Sequence, residues 1–98
     1  MARMPDTSLS TRVCVRVVYL ARLRDAFGNA GETLTLDDNG TPTVDSIVKA
    51  LRKRGGAWAH ELSPERAVRF AVNHRLAQRT QAVANGDEVA LFPPVTGG

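Results

Sequence analysis

Apolar and polar positions alternate along Val13-Cys14-Val15-Arg16-Val17-Val18-Tyr19-Leu20, and its many β-branched residues predict a strand. Val13, Val15, Val17 and Tyr19 fall on one face. Cys14, Val18 and Leu20 fall on the other, interrupted by Arg16, which predicts a central strand buried on both sides. Ala21 to Phe27 is a short helical or turn segment ended by Gly28-Asn29. Glu32-Thr33-Leu34-Thr35-Leu36 alternates again as a second strand, followed by the turn Asp37-Asp38-Asn39-Gly40. The period then changes. Val44, Ile47, Val48 and Leu51 occupy i, i+3, i+4 and i+7, a single helical stripe that reads as core packing. Thr43 is its N-cap candidate and Asp45 suits the dipole in its first turn. Lys49, Arg52, Lys53 and Arg54 crowd its end, and Gly55-Gly56 stop it.

From Ala57 to Glu65 the pattern is loose and Pro64 breaks any regular element, with Trp58 placed to cover the end of the core. Ala67 to Asn73 predicts a third strand with Val68, Phe70 and Val72 on one face. Asn73-His74-Arg75 reads as a turn, and Leu76 to Val83 as a short strand pair or crossover. Asn85-Gly86-Asp87 is a strong reverse-turn signal. Glu88-Val89-Ala90-Leu91-Phe92 then alternates as a last strand, with Val89 and Leu91 on one face and Glu88, Ala90 and Phe92 on the other. One main helix covers only one face of a small mixed sheet, so the fold class is α+β in two layers.

The last strand runs directly into Pro93-Pro94-Val95-Thr96-Gly97-Gly98. Proline cannot continue a paired strand, and two in a row favour an extended polyproline path away from the body. Six residues reach at most about 20 Å, enough to thread a deep pocket on another protein. A terminal Gly-Gly places an unhindered carboxylate on a backbone with no side chain to obstruct a narrow channel. A bare diglycine is equally compatible with a frayed end. The strand anchor and the prolines favour a terminus that is itself the reacting group.

Ninety-eight residues, 43% hydrophobic and 23% charged, suit one compact domain. The expected organisation is a flexible, polar N-terminal extension over 1–12, a folded domain over 13–92 and an extended tail over 93–98. No apolar run approaches a membrane span, and residues 1–12 lack the apolar stretch of a secretory signal, so no membrane partner and a cytoplasmic location are expected. The net charge of +3 and its scattered arginines, with no interleaved aromatics, argue against nucleic acid and for an acidic protein partner. The single cysteine excludes an internal disulfide; Cys14 is expected to pack as a buried structural thiol. His60 and His74 have no cysteine or carboxylate at metal spacing, Asp37-Asp38 reads as a solvated turn, and no phosphate loop appears. No competent active site is legible within the chain. Its chemistry is expected to be completed by a partner.

A strand-strand-helix-strand-strand order ending in a projecting Gly-Gly resembles the ubiquitin-like β-grasp sulfur carriers. Within them, Val72-Asn73 and the run Asn85-Gly86-Asp87-Glu88-Val89-Ala90-Leu91-Phe92-Pro93-Pro94-Val95-Thr96-Gly97-Gly98 are similar to the small subunits of molybdopterin synthase, the MoaD type. The similarity covers residues 13 to 98. It implies a mechanism in which an adenylating, E1-like activating enzyme uses ATP to convert the Gly98 carboxylate to an acyl-adenylate. A sulfur donor then displaces AMP, leaving a thiocarboxylate. Inside the large synthase subunit the terminal sulfur attacks a cyclic pyranopterin, and two transfers build the dithiolene of the molybdenum cofactor. The family implies two copies of each subunit.

In that scheme Gly98 carries the sulfur and Gly97 must be small for passage. Pro93 and Pro94 hold the tail extended, and Val95 and Thr96 thread with it. Phe92 is read as a hydrophobic anchor on the large subunit, with a core position as the alternative. No cofactor or metal is expected on this chain, and it is expected to be a sulfur-donating subunit, not an enzyme alone. Two other readings share the Gly-Gly. One is a carrier for thiamin, cysteine or tRNA thiolation; the other is a ubiquitin-like modifier joined to lysines.

Overall fold

The computed structural model describes residues 11–38 and 40–94. In chain order the elements are β1 (Thr11–Tyr19), α1 (Arg22–Phe27), β2 (Gly31–Asp38), α2 (Val44–Arg52), α3 (Gly56–Glu61), β3 (Arg69–Val72), β4 (Arg75–Ala77) and β5 (Glu88–Phe92). The strands form one sheet in the order β2-β1-β5-β3-β4. β1 and β5 run parallel at its centre, and the other pairings are antiparallel. This is the β-grasp arrangement. The last strand is inserted between β1 and β3, so its end is fixed from both sides.

Every odd residue of β1 from Val13 to Tyr19 is buried, together with Val89 and Leu91 of β5, Phe70 and Val72 of β3, and Leu36 of β2. The α2 stripe lies against them: Val44, Ile47 and Leu51 are 0% exposed. Period 2 on the sheet and 3.6 on the helix thus place two apolar faces together, as the sequence pattern requires. At the start of α2 the Thr43 N–H donates to Ser46 Oγ at 3.0 Å, satisfying a donor that the first turn leaves open.

Several expectations are corrected. The second face of β1 is open: Cys14 and Arg16 are exposed, Val18 is half-buried and Leu20 is 42% exposed, because all three helices pack on the other side of the sheet. Cys14 is therefore an exposed thiol, with Sγ 3.5 Å from Thr35 Oγ1 across the strand pair. Asp37 and Asp38 extend β2 instead of forming the turn. The loose stretch after Gly55 contains α3, and Gly56 opens that helix instead of merely stopping α2. The 76–83 region holds only β4, preceded by Asn73-His74 with both φ positive, and one isolated bridge between Thr43 and Ala82. No helix among the described residues is long and apolar enough to cross a membrane.

Candidate functional site

The site is the C-terminal end of β5. Its register is set at the opposite end by the turn 85–87. Gly86 takes a φ of 91°, its N–H donates to Cys14 O at 2.8 Å, and Asn85 Oδ1 accepts from the Cys14 N–H at 2.8 Å. Asn73 adds a second clamp, donating through Nδ2 to Asp87 and accepting from the Glu88 N–H, both at 3.0 Å. Strand β5 therefore enters the sheet fixed to β1 on one side and to the β3–β4 hairpin on the other.

At the exit, Tyr19 stands beside Leu91 and the Leu20 N–H donates to Leu91 O at 3.1 Å. Phe92 pairs with Arg69 across β3. Alternation puts Phe92 on the open face with Ala90, half-buried and outside the core cluster, which removes the core alternative for this ring. The open face carries one small and apolar row across all five strands: Gly31, Val18, Ala90, Ala71 and Leu76, the last 76% exposed. Pro93 and Pro94 follow, half-buried, lining a shallow cleft of about 260 Å³ with Arg22, Glu65, Arg66 and Ala67. Val95, Thr96, Gly97 and Gly98, the remaining predicted site residues, lie outside the described residues.

Two polar groups that sequence patterning did not single out brace this end. Tyr19, 0% exposed, donates its hydroxyl to Glu32 at 2.6 Å, and Arg54 grips the same carboxylate at 2.8 and 2.9 Å. Burial first, then the Glu32 bond, push the Tyr19 hydroxyl well above its ordinary range; the Arg54 bonds hold the Glu32 carboxyl below its own. Arg54 also lies 4.5 Å over Trp58, which stacks on Phe27 at 3.8 Å. The second group is Glu61, 8% exposed, whose Oε1 is 3.1 Å from Arg22 Nε and 3.3 Å from Arg66 Nε. Among the described residues no set of three His, Cys, Asp or Glu side chains is placed to hold a metal ion.

A central strand clamped at both ends runs directly into Pro93 and Pro94. The sequence model of the ThiS family matches residues 17–98. The chain belongs to the ThiS family. The molybdopterin synthase sulfur carrier subunit of Haemophilus influenzae is 34% identical over 84 residues, covering 86% of this chain and 99% of that protein. Among solved structures, a putative molybdopterin converting factor subunit 1 from Pyrococcus furiosus has a TM-score of 0.66 and 29% identity, covering 85% of this chain and 99% of that one. SAMP1 from Haloferax volcanii has a TM-score of 0.64 and 29% identity over 87% of this chain and 99% of its own. The fold of this ThiS family member is the ubiquitin-like β-grasp.

Proposed function

We propose that the chain is a cytoplasmic sulfur carrier of molybdenum cofactor biosynthesis and that Gly98 is its reacting residue. An activating enzyme supplies ATP; the Gly98 carboxylate attacks the α-phosphorus and pyrophosphate leaves. The acyl-adenylate is a good acyl donor where a carboxylate is a poor one. Sulfide-level sulfur delivered by a donor attacks the acyl carbon and expels AMP, leaving a thiocarboxylate. In the large synthase subunit that sulfur attacks a carbon of a cyclic pyranopterin, water cleaves the resulting thioester to leave sulfur on the pterin and return Gly98 as a carboxylate, and two such transfers complete the dithiolene. The large subunit provides the pocket and its proton-transfer groups, with Phe92 to Gly97 as the segment it grips. The observation that carries this reading is the likeness, over 86% of this chain and 99% of the relative, to a molybdopterin synthase sulfur carrier subunit.

The clamped β5 gives the reading a physical basis, since a tail that must reach a fixed depth needs a fixed origin. The test is ATP–pyrophosphate exchange by the activating enzyme with the full chain and with Gly98 deleted. Exchange should require Gly98, with urea unfolding of the two chains unchanged; equal exchange by the deletion variant refutes the assignment. The likeness to the small archaeal modifier protein 1 of Haloferax volcanii favours one second reading, a protein modifier. It predicts higher-mass conjugates of this chain in cell extract, which the carrier reading does not.

A further inference from the structure

Sulfur transfer by itself gives no role to the charged side chains at the root of the tail. Arg22 opens α1, Arg66 follows α3, and both approach one oxygen of Glu61. A nearly buried carboxylate is costly unless paired, and here two cations share it. One negative charge cannot neutralise two guanidiniums, so these three groups together stay positive. Arg22 donates through Nε to Glu61. Arg66 Nε is buried beside the same oxygen without forming a hydrogen bond, so that contact is Coulombic. Neither guanidinium has another protein partner among the described residues, which leaves their terminal Nη groups as donors in the fork geometry that carboxylates accept. Both arginines remain substantially accessible, with side chains 45% and 34% exposed. Glu65, exposed on the same cleft, brings the formal charge of the four groups to zero, but it makes no ion pair among the described residues and leaves the guanidinium donors open.

Position decides what this pair meets. Arg22 and Arg66 line one cleft with Pro93 and Pro94. A protein that takes up residues 95–98 approaches the chain next to Pro94, which lines that cleft. We propose that Arg22 and Arg66 form a docking seat for carboxylate side chains on the rim of the pocket that receives the tail, on the large synthase subunit. The proposal rests on the sulfur-carrier reading above. Glu61 sets the spacing of the two guanidiniums, and the chain's net charge of +3 favours an acidic rim. Rim charges steer approach and fix orientation, so the seat acts chiefly on the association rate and is screened by salt.

The test is titration of the large subunit with the full chain carrying Arg22→Gln and Arg66→Gln, by calorimetry and stopped flow. Between about 0.1 M and 1 M salt the screening length falls from about 10 Å to about 3 Å. At the lower salt the double variant should bind about tenfold more weakly, mostly through slower association, and at the higher salt the difference should nearly vanish. A triple variant that adds Glu61→Gln leaves no orphaned buried carboxylate; it should fold with a wild-type urea midpoint and show the same loss. Arg52→Gln with Lys53→Gln removes equal charge at the far end of α2 and should change affinity less than about twofold. Wild-type affinity of the double and triple variants at low salt, or an equal loss in the α2 control, overturns the docking seat. If the variants match a wild-type chain that binds and transfers sulfur, the seat alone falls. A wild-type chain that never binds the large subunit removes the carrier reading and the seat together.

Discussion

Replacing Glu32 by glutamine tests the brace beneath the strand that releases the tail. The carboxylate accepts two Arg54 hydrogen bonds at 2.8 and 2.9 Å and the Tyr19 hydroxyl at 2.6 Å. Glutamine can still accept from Tyr19, but its NH2 group turns a donor toward the guanidinium and the charge attraction is lost. Hydrogen bonds to charged groups contribute about 1.5–3 kcal/mol each. Screening lowers that here, because the side chains of Arg54 and Glu32 are 34% and 23% exposed. The expected cost is about 2 kcal/mol at pH 7. The same cost must depend on pH. The Arg54 bonds, opposed by burial, hold the Glu32 carboxyl below its ordinary 4.5, so the folded chain binds this proton less readily than the unfolded one. Its stabilisation is complete above about pH 4.5 and is lost as pH falls through the lower folded value.

Tyr19 titrates far above this window and does not confuse the reading. Urea unfolding followed by the fluorescence of Trp58, the only tryptophan, reports the transition directly. With a slope near 1 kcal/mol/M, the midpoint gap between the variant and wild type should be about 2 M at pH 7 and should narrow as pH falls below the ordinary Glu32 value of 4.5. A gap that ignores pH, or one below about 0.5 kcal/mol at pH 7, refutes the argument.

Two further outcomes are expected. Cys14 in the folded chain should react with a thiol reagent within about tenfold of the urea-unfolded rate, and strong protection would contradict the open sheet face. A Cβ at Gly31 would stand 2.9 Å from the Val17 carbonyl oxygen of the neighbouring strand, so Gly31→Ala should cost about 1–3 kcal/mol in urea unfolding; a neutral result would contradict the tight β1–β2 approach there.

The parts of the fold legible in the sequence are those with a clean period. The α2 stripe and the inward residues of β1 and β5 were readable because burial on one side imposes a repeat of 3.6 or 2. The outer face of β1 misled for a physical reason: Cys14, Val18 and Leu20 look alike whether this chain covers them or a face is left open. Helix α3 escaped because six residues starting at a glycine with φ 55° carry neither a cap nor two turns of periodicity. The Arg22–Glu61 bond joins residues 39 apart in sequence, and a pairing at that distance leaves no local signal. Alternation separated Phe92 from Val89 and Leu91, and the burial pattern of β5 has them on opposite faces. Gly97 and Gly98 lie outside the described residues, and their role is a proposal read from the sequence.

The central claim is that Gly98 carries sulfur, and the intact mass of the chain tests it most directly. After incubation with ATP, the activating enzyme and a sulfur donor, the mass should shift by the replacement of one oxygen with sulfur, and the chain lacking Gly98 should not shift. An unshifted full chain, in a mixture that loads another carrier, would contradict the account and leave the tail as a docking peptide or a conjugation handle.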